Sequence, residues 1–108
     1  MTDLPLLVLT TMPDHQAAEA LAEKILRSNI AACVNILPEM TSIYVWKGKT
    51  QHGSENQLII KTTAARYDAL QALISDLHPY ELPEIIAVPI THGLPEYLNW
   101  VKACTKKS

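Results

Sequence analysis

The chain opens on a nearly continuous apolar run and continues with a helical pattern. Residues 4–11, LPLLVLTT, have the composition of a strand that is central in its sheet or covered on both faces. After Pro13, with Asp14 placed as an N-cap, apolar residues recur at the spacing i, i+3, i+4, i+7 and i+8. These positions are Ala18, Leu21, Ala22, Ile25 and Leu26. The pattern therefore predicts one strand followed by one amphipathic helix.

The middle of the chain is rich in β-branched and aromatic residues. Residues 31–46, AACVNILPEMTSIYVW, predict a strand about three times the usual length, in which Pro38 marks a bulge or an edge position. After a turn at Gly48, residues 49–63 return as a second strand. Its alternation places Leu58, Ile60 and Thr62 on one face. The two segments predict a long hairpin that projects beyond a small domain.

A second helix and a last strand complete the pattern. An apolar stripe of Leu70, Leu73, Ile74 and Leu77 predicts a helix that ends near His78, because Pro79 follows. EIIAVPI, residues 84–90, predicts a strand at the sheet edge, since Pro89 cannot donate to a ladder. Pro95 fits the first turn of a short C-terminal helix. Its apolar positions are Leu94, Tyr97, Leu98 and Val101.

The order of elements is β-α-β-β-α-β followed by a helix. This order predicts an α+β fold, the ferredoxin-like sandwich, with a four-stranded antiparallel sheet and two helices on one face. In the usual strand order 4-1-3-2, the first strand is central and the fourth is an edge. The apolar first strand and Pro89 in the fourth agree with those places.

Composition restricts the class of protein. With 108 residues, 48% hydrophobic and 19% charged, the chain fits a single globular domain over residues 1–108. A formal charge of −2 and scattered basic residues predict no nucleic-acid partner, and Lys106 and Lys107 fit a solvated terminus. The first apolar run is too short to cross a membrane and has no basic flank or cleavage site. We therefore expect a cytoplasmic protein with no membrane partner.

The densest side-chain chemistry lies in LHPYELPEIIAVPI, residues 77–90. His78 can be a helix-capping residue, or a nitrogen ligand that acts with a glutamate oxygen on copper or zinc. Glu81 and Glu84 can be an acid–base pair, or Glu84 can form a structural ion pair with a cation such as Lys61. We favour the structural alternative, because no nucleophile or second base accompanies the two carboxylates.

Three further features bear on function. Lys61 can bind an anion at the strand end, or discourage strand pairing at an edge. Tyr44 and Trp46 share one face of the projecting hairpin, where a small domain cannot cover them, and this favours a protein interface. The three glycines are isolated, so the sequence has no glycine-rich phosphate loop.

Four segments together resemble one known family. AACVNILPEMTSIYVWKGK, LIIKTT, HPYELPEI and THGLPEYLNWV, in this order and spacing, resemble the CutA family of divalent-cation tolerance proteins over residues 7–101. The resemblance implies a compact homotrimer of ferredoxin-like subunits, similar in architecture to PII signal-transduction proteins and linked to copper and other divalent metals. It also implies clefts between subunits, in which Tyr80, Glu81 and Glu84 lie near Lys61.

One departure from the family concerns the metal. Members proposed to bind copper carry a cysteine at the end of the first strand and two histidines before the Pro-Tyr pair. Here Thr10 or Thr11 stands at the strand end, and Leu77 precedes the single His78. We therefore expect no required cofactor, and only weak binding of Cu²⁺ or another divalent metal through His78.

Three interpretations of function follow. The leading one is a non-enzymatic homotrimer in metal tolerance that binds a metal weakly, or senses a small anion or other ligand in its clefts. An acylphosphatase-like enzyme shares the topology but needs an arginine and an anion-cradling loop after the first strand, and TTMPDH offers neither. A purely structural trimeric scaffold is the third. The long hairpin itself favours a trimer, because its outer strands need partners.

Overall fold

One long strand organises the sheet. The computed structural model describes residues 3–106, so Lys107 of the expected solvated terminus lies outside the described residues. The strands are β1 (Pro5–Met12), β2 (Cys33–Ile36), β3 (Met40–Trp46), β4 (Lys49–Thr63) and β5 (Ile86–Pro89). The helices are α1 (His15–Arg27), α2 (Ala64–Leu77) and α3 (Pro95–Cys104).

The sheet has the predicted antiparallel topology. Its order is β2-β4-β1-β5, and β3 pairs with the outer half of β4. The first strand is central and the last strand is an edge, where Pro89 pairs with Leu6. The ferredoxin-like α+β prediction is confirmed, with one strand more than expected.

The extra strand arises at Pro38. Residues 31–46 do not form one strand, because β2 pairs with β4 as far as Ile36 opposite Leu58, and β3 begins again at Met40 opposite Glu55. Between them the Leu37 N–H still donates to the Gln57 carbonyl at 2.9 Å, but proline has no N–H to continue the ladder. The strand is therefore interrupted at Pro38, where the sequence predicted only a bulge or an edge position within one strand, and the long hairpin is divided into an inner and an outer part.

The core lies between the sheet and the first two helices. Along β4, Leu58, Ile60 and Thr62 are fully buried, as the alternation predicts. Leu58 and Ile60 belong to one cluster with apolar residues of β1, α1 and α2, and Thr62 lies on the same face of β4. The residues from the other elements are Leu6, Val8, Ala18, Leu21, Ile25, Leu70 and Ile74. The prediction of a buried apolar stripe is wrong at two positions, since Leu26 and Leu77 are exposed at the ends of their helices.

The other face of the sheet also carries apolar residues. Register places Leu7 opposite Val88 and Leu9 opposite both Ile86 and Ile59, so their side chains share the face turned away from α1 and α2. Ile86 is 53% exposed and Val88 is 46% exposed. We call these five residues the second face. A single chain leaves it largely uncovered.

The hairpin of β3 and outer β4 extends from the rest of the domain. Its turn residues Lys47 and Gly48 both have positive φ, 51° and 79°, as a tight two-residue hairpin turn requires. The described part of the chain measures 43 × 26 × 23 Å, and Ile43 and Val45 on the hairpin are 63% and 71% exposed. Within residues 3–106, no helix is long and apolar enough to cross a membrane.

The C-terminal helix is only partly packed. Pro95 stands in its first turn, as predicted, and α3 contacts β4 and β1. Of its predicted apolar positions, Val101 is buried, whereas Leu94 and Tyr97 are exposed. The predicted helix is confirmed, but most of its apolar stripe has no cover within one chain.

The cap of α1 offers a direct test of the local structure. The Asp14 carboxylate accepts the Ala17 N–H at 2.8 Å, as the N-cap prediction requires. We expect Asp14→Ala to lower the free energy of unfolding by about 0.5–2 kcal/mol, and Asp14→Asn, which keeps an acceptor, to change it little. Urea denaturation of the two variants measures this. Equal losses in both would contradict the capping role.

Candidate functional site

A cavity of about 630 Å³ lies between the outer hairpin and the bend that follows α2. The hairpin contributes Ser42, Ile43, Tyr44 and Trp46 from β3 and Glu55 from β4; β1 contributes Thr11, and the bend contributes Tyr80, Glu81, Leu82 and Glu84. The structure thus brings together five residues singled out in the sequence: Tyr44, Trp46, Tyr80, Glu81 and Glu84. None of the lining residues is basic.

His78 attaches the bend to the end of β1. Its Nε2 lies 2.6 Å from the Thr11 carbonyl oxygen, and its Nδ1 accepts the Tyr80 N–H at 3.1 Å. This arrangement requires a neutral ring that carries its proton on Nε2. The backbone N–H of His78 donates to the Ile74 carbonyl at 2.9 Å, and this hydrogen bond caps the C-terminal end of α2. Since both ring nitrogens are bonded within the chain, a metal at His78 must displace one of these hydrogen bonds, and its role as a ligand stays a prediction.

Glu55 lies at the centre of a group of hydroxyls. Thr11 Oγ1 donates to Glu55 Oε2 at 3.0 Å, and the hydroxyls of Ser42 and Tyr80 stand near the same carboxylate. Partial burial alone would raise the pKa of Glu55, but hydrogen bonding with these hydroxyls outweighs it, so the pKa lies below its ordinary value. Glu55 is therefore ionised at neutral pH.

Tyr80 has the complementary property. Burial, and next its hydrogen bond to Glu55, hold the pKa of the Tyr80 hydroxyl well above its ordinary value. The hydroxyl therefore stays protonated and remains a donor. The Tyr80 ring lies 4.7 Å from the His78 ring, centroid to centroid, so the bend is fixed from both sides.

The remaining predicted residues separate into two places. Glu84 accepts a hydrogen bond from Gln57 Nε2 at 3.1 Å, at the cavity. Lys61 is four residues further along β4, about 13 Å at ~3.3 Å per residue. It turns towards β2, where its amino group contacts Asn35 Oδ1 and lies 3.9 Å from Cys33 Sγ. Within one chain, Lys61 does not lie at the cavity and does not pair with Glu84.

The aromatic residues form the hairpin side of the cavity. The Tyr44 side chain packs over Gly53 on the neighbouring strand. A Cβ placed on Gly53 would lie 3.8 Å from the Tyr44 ring and from its hydroxyl, which is van der Waals contact. Trp46 already receives one cation, since Lys47 Nζ lies 5.7 Å from its ring centroid. Both rings are thus held where they present surface to the cavity.

The donor atoms of the cavity are mostly oxygens. Glu55, Glu81 and Glu84 offer carboxylates, which suit hard cations rather than copper. Cys33 and Cys104 are free thiols, and neither lines the cavity. Among residues 3–106, no three histidine, cysteine or acidic side chains are grouped to hold a metal ion.

Sequence reasoning did not identify Glu55 and Thr11 as a pair, and it did not single out Ser42. The signal that could have indicated them is the alternation of side chains along β4, which places Glu55 on the same outward face as Gln57, Ile59 and Lys61. This alternation shows only which side of the sheet Glu55 occupies. Its partners depend on the bend, which the sequence pattern does not place.

Glu55 makes the stability of the protein depend on pH in acid. Because its pKa is lower in the folded chain than its ordinary value of 4.5, its contribution is present above pH 4.5 and is lost as the pH falls through the folded-state pKa. We expect Glu55→Gln to be less stable than wild type at pH 7, with a difference that shrinks below pH 4.5. Urea denaturation across pH measures this, with the exposed Glu19→Gln as control. A difference independent of pH would contradict the assignment.

Comparison with known proteins agrees with the fold. The profile of the family described as CutA1 divalent ion tolerance protein matches residues 6–104. The divalent-cation tolerance protein CutA of Citrobacter koseri is 44% identical over 96 residues, which cover 89% of this chain and 84% of that protein.

Two solved structures have the same fold. CutA1 from Oryza sativa superposes with a TM-score of 0.94 at 42% identity, over 99% of this chain and 98% of its own. A protein of Archaeoglobus fulgidus, described as periplasmic divalent cation tolerance protein CutA, has a TM-score of 0.92 at 31% identity, over 95% of this chain and 100% of its own. The resemblance noted in the sequence is confirmed: the chain belongs to the CutA1 divalent ion tolerance protein family.

Proposed function

We propose that the chain acts in divalent-cation tolerance as a non-catalytic, PII-like cytoplasmic homotrimer that needs no cofactor and binds cations weakly at its acidic cavities. The observation that carries this proposal is the acidic cavity, in which three carboxylates, Glu55, Glu81 and Glu84, stand with no basic residue among the lining. Such a cavity raises the local concentration of cations.

The uncovered surface of a single chain supports the trimer. A two-stranded ribbon such as β3 with outer β4 is marginal in water by itself. The second face adds apolar area of the kind that marks protein interfaces. Cyclic symmetry lets every subunit cover the same surface of its neighbour.

The cavity favours hard divalent cations over copper. Its free ligands are carboxylate oxygens, which suit calcium, magnesium or manganese. Copper would need His78, whose two ring nitrogens already hold the bend to β1. A small anion would be repelled by the three carboxylates. It would need a positive charge at the cavity, such as Lys61 of a neighbouring copy.

The enzyme alternative has little support in the cavity. Thr11, Ser42 and Tyr80 present hydroxyls to Glu55, but a carboxylate whose pKa is lowered is a weak general base. The acylphosphatase alternative also needs an arginine, and no arginine lines the cavity. The scaffold alternative differs from our proposal in one respect only, since it requires no ligand.

The assembly can be tested by mass. We expect sedimentation equilibrium at micromolar concentration to give three times the 12.0 kDa of the chain. Trp46→Ala should loosen or dissociate the trimer, since truncating a buried tryptophan costs about 3–5 kcal/mol per subunit. Glu19→Ala, on the exposed side of α1, should leave it intact. A wild-type mass of 12.0 kDa would contradict the trimer.

Metal binding can be tested by calorimetric titration of the assembled protein with Cu²⁺ and with Mn²⁺. We expect copper to bind more weakly than micromolar, with a free energy less favourable than about −8 kcal/mol. If copper binds through His78, the His78→Ala variant should have an affinity for Cu²⁺ at least tenfold weaker than that of the wild type. An unchanged copper affinity in His78→Ala would remove that residue from the site. Absence of any heat with both metals would favour the scaffold.

A further inference from the structure

We propose that the cavity binds an alkylated organic ammonium ion, with Glu55 as the counter-charge and the rings of Tyr44, Trp46 and Tyr80 as the walls. This inference goes beyond the proposed role in divalent-cation tolerance and does not depend on metal binding. It rests on the charge of the cavity, the state of its carboxylate and the kind of surface around it.

The cavity contains a negative charge that the chain does not neutralise. Three carboxyl groups, Glu55, Glu81 and Glu84, line it with no basic residue among the lining, and Thr11 Oγ1 donates to Glu55 Oε2 at 3.0 Å. Among residues 3–106, the ion pairs join His15 to Glu19, Arg27 to Glu23, and Lys102 to Asp3, and none involves Glu55. The cavity therefore presents acidic groups that no cation of the described residues pairs with, and it favours a positively charged ligand.

Part of the hydrogen-bonding capacity of Glu55 is already used within the chain. A carboxylate has about four acceptor positions; Thr11 Oγ1 occupies one of them at 3.0 Å, and the Ser42 and Tyr80 hydroxyls line the cavity beside it. Calcium and magnesium require six or more well-placed oxygens, so a metal would have to compete with these donors. An alkylated ammonium ion has few or no N–H groups. It is attracted by the charge of Glu55 without needing its lone pairs.

The walls of the cavity suit such an ion. Aromatic faces attract ammonium groups, and cages of aromatic rings recognise quaternary ammonium and methylated lysine ligands. Tyr44, Trp46 and Tyr80 line the cavity, and Ile43 and Leu82 add apolar contact for alkyl groups. The ammonium of Lys47, 5.7 Å from the Trp46 ring centroid, shows that this ring already attracts a cation. A volume of about 630 Å³ admits a small organic molecule.

The groups that would bind the ion are held in place before it arrives. Thr11 lies on β1, Glu55 lies on β4, and Tyr80 belongs to the bend that His78 fixes to β1. The Tyr80 ring thus lines the cavity beside Glu55, and the hydrogen bonds of His78 fix it to the same strand end as Thr11. Preorganisation of this kind lowers the cost of ordering the site on binding.

The test is calorimetric titration of the protein, in the assembly that it forms in solution, with tetramethylammonium chloride at constant ionic strength. The matched neutral ligand is tert-butanol, which has a similar tetrahedral shape and no charge. We expect saturable binding of tetramethylammonium, and none of tert-butanol in the same concentration range. Glu55→Gln, which keeps the shape and removes the charge, should weaken binding at least tenfold, whereas Glu19→Gln should not change it.

A second pair of variants tests the walls without altering Glu55. Tyr44→Phe keeps the ring and should retain binding, whereas Tyr44→Leu should weaken it at least threefold. Circular dichroism and sedimentation confirm that each variant folds and assembles like wild type.

Three results would overturn the proposal. They are no saturable tetramethylammonium binding by the wild type, equal binding of tert-butanol, and unchanged binding in Glu55→Gln. Mn²⁺ binding that depends on Glu55, without tetramethylammonium binding, would make the cavity a metal site instead. Tetramethylammonium binding without any Mn²⁺ binding would support this inference and contradict the metal part of the proposed function, so the two can fail separately.

Discussion

The structure depends on the continuity of β4. This strand pairs with β1, β2 and β3, so three of the four other strands have their place in the sheet through it. Its inner half supplies Leu58 and Ile60 to the core, and its outer half carries Glu55 to the cavity. The core therefore fixes where the charge of the cavity lies. A change in the register of β4 by one residue would exchange its two faces and remove both.

Hydrogen bonds within the chain join three distant segments at the site, so the site is formed before any ligand binds. Thr11 on β1 donates to Glu55 on β4, and His78 bonds the bend to the Thr11 carbonyl. The result is a carboxylate held among aromatic rings at the cavity. The family to which the chain belongs is named for divalent ion tolerance and not for an enzymatic activity.

Local patterns predicted the elements, and long-range pairing decided the site. The cap at Asp14 and the edge position of Pro89 depend on rules that act within a few residues, and both are confirmed, whereas Pro38 interrupts the strand in which it was expected to mark a bulge or an edge. The Thr11–Glu55 and His78–Thr11 contacts join residues 44 and 67 positions apart. Such contacts follow from strand register and from the path of the bend, which periodicity does not specify. The exposure of Ile86 and Val88 on the second face likewise depends on packing between distant elements.

The central claim is that β4 is one rigid strand in solution because neighbouring copies cover its outer half. Amide hydrogen exchange of the assembled protein tests this most directly. The account predicts that ladder amides of β3 and of outer β4 are protected to within about tenfold of those in β1. Exchange of the outer hairpin at nearly the rate of an unfolded chain, beside a protected β1, would contradict it.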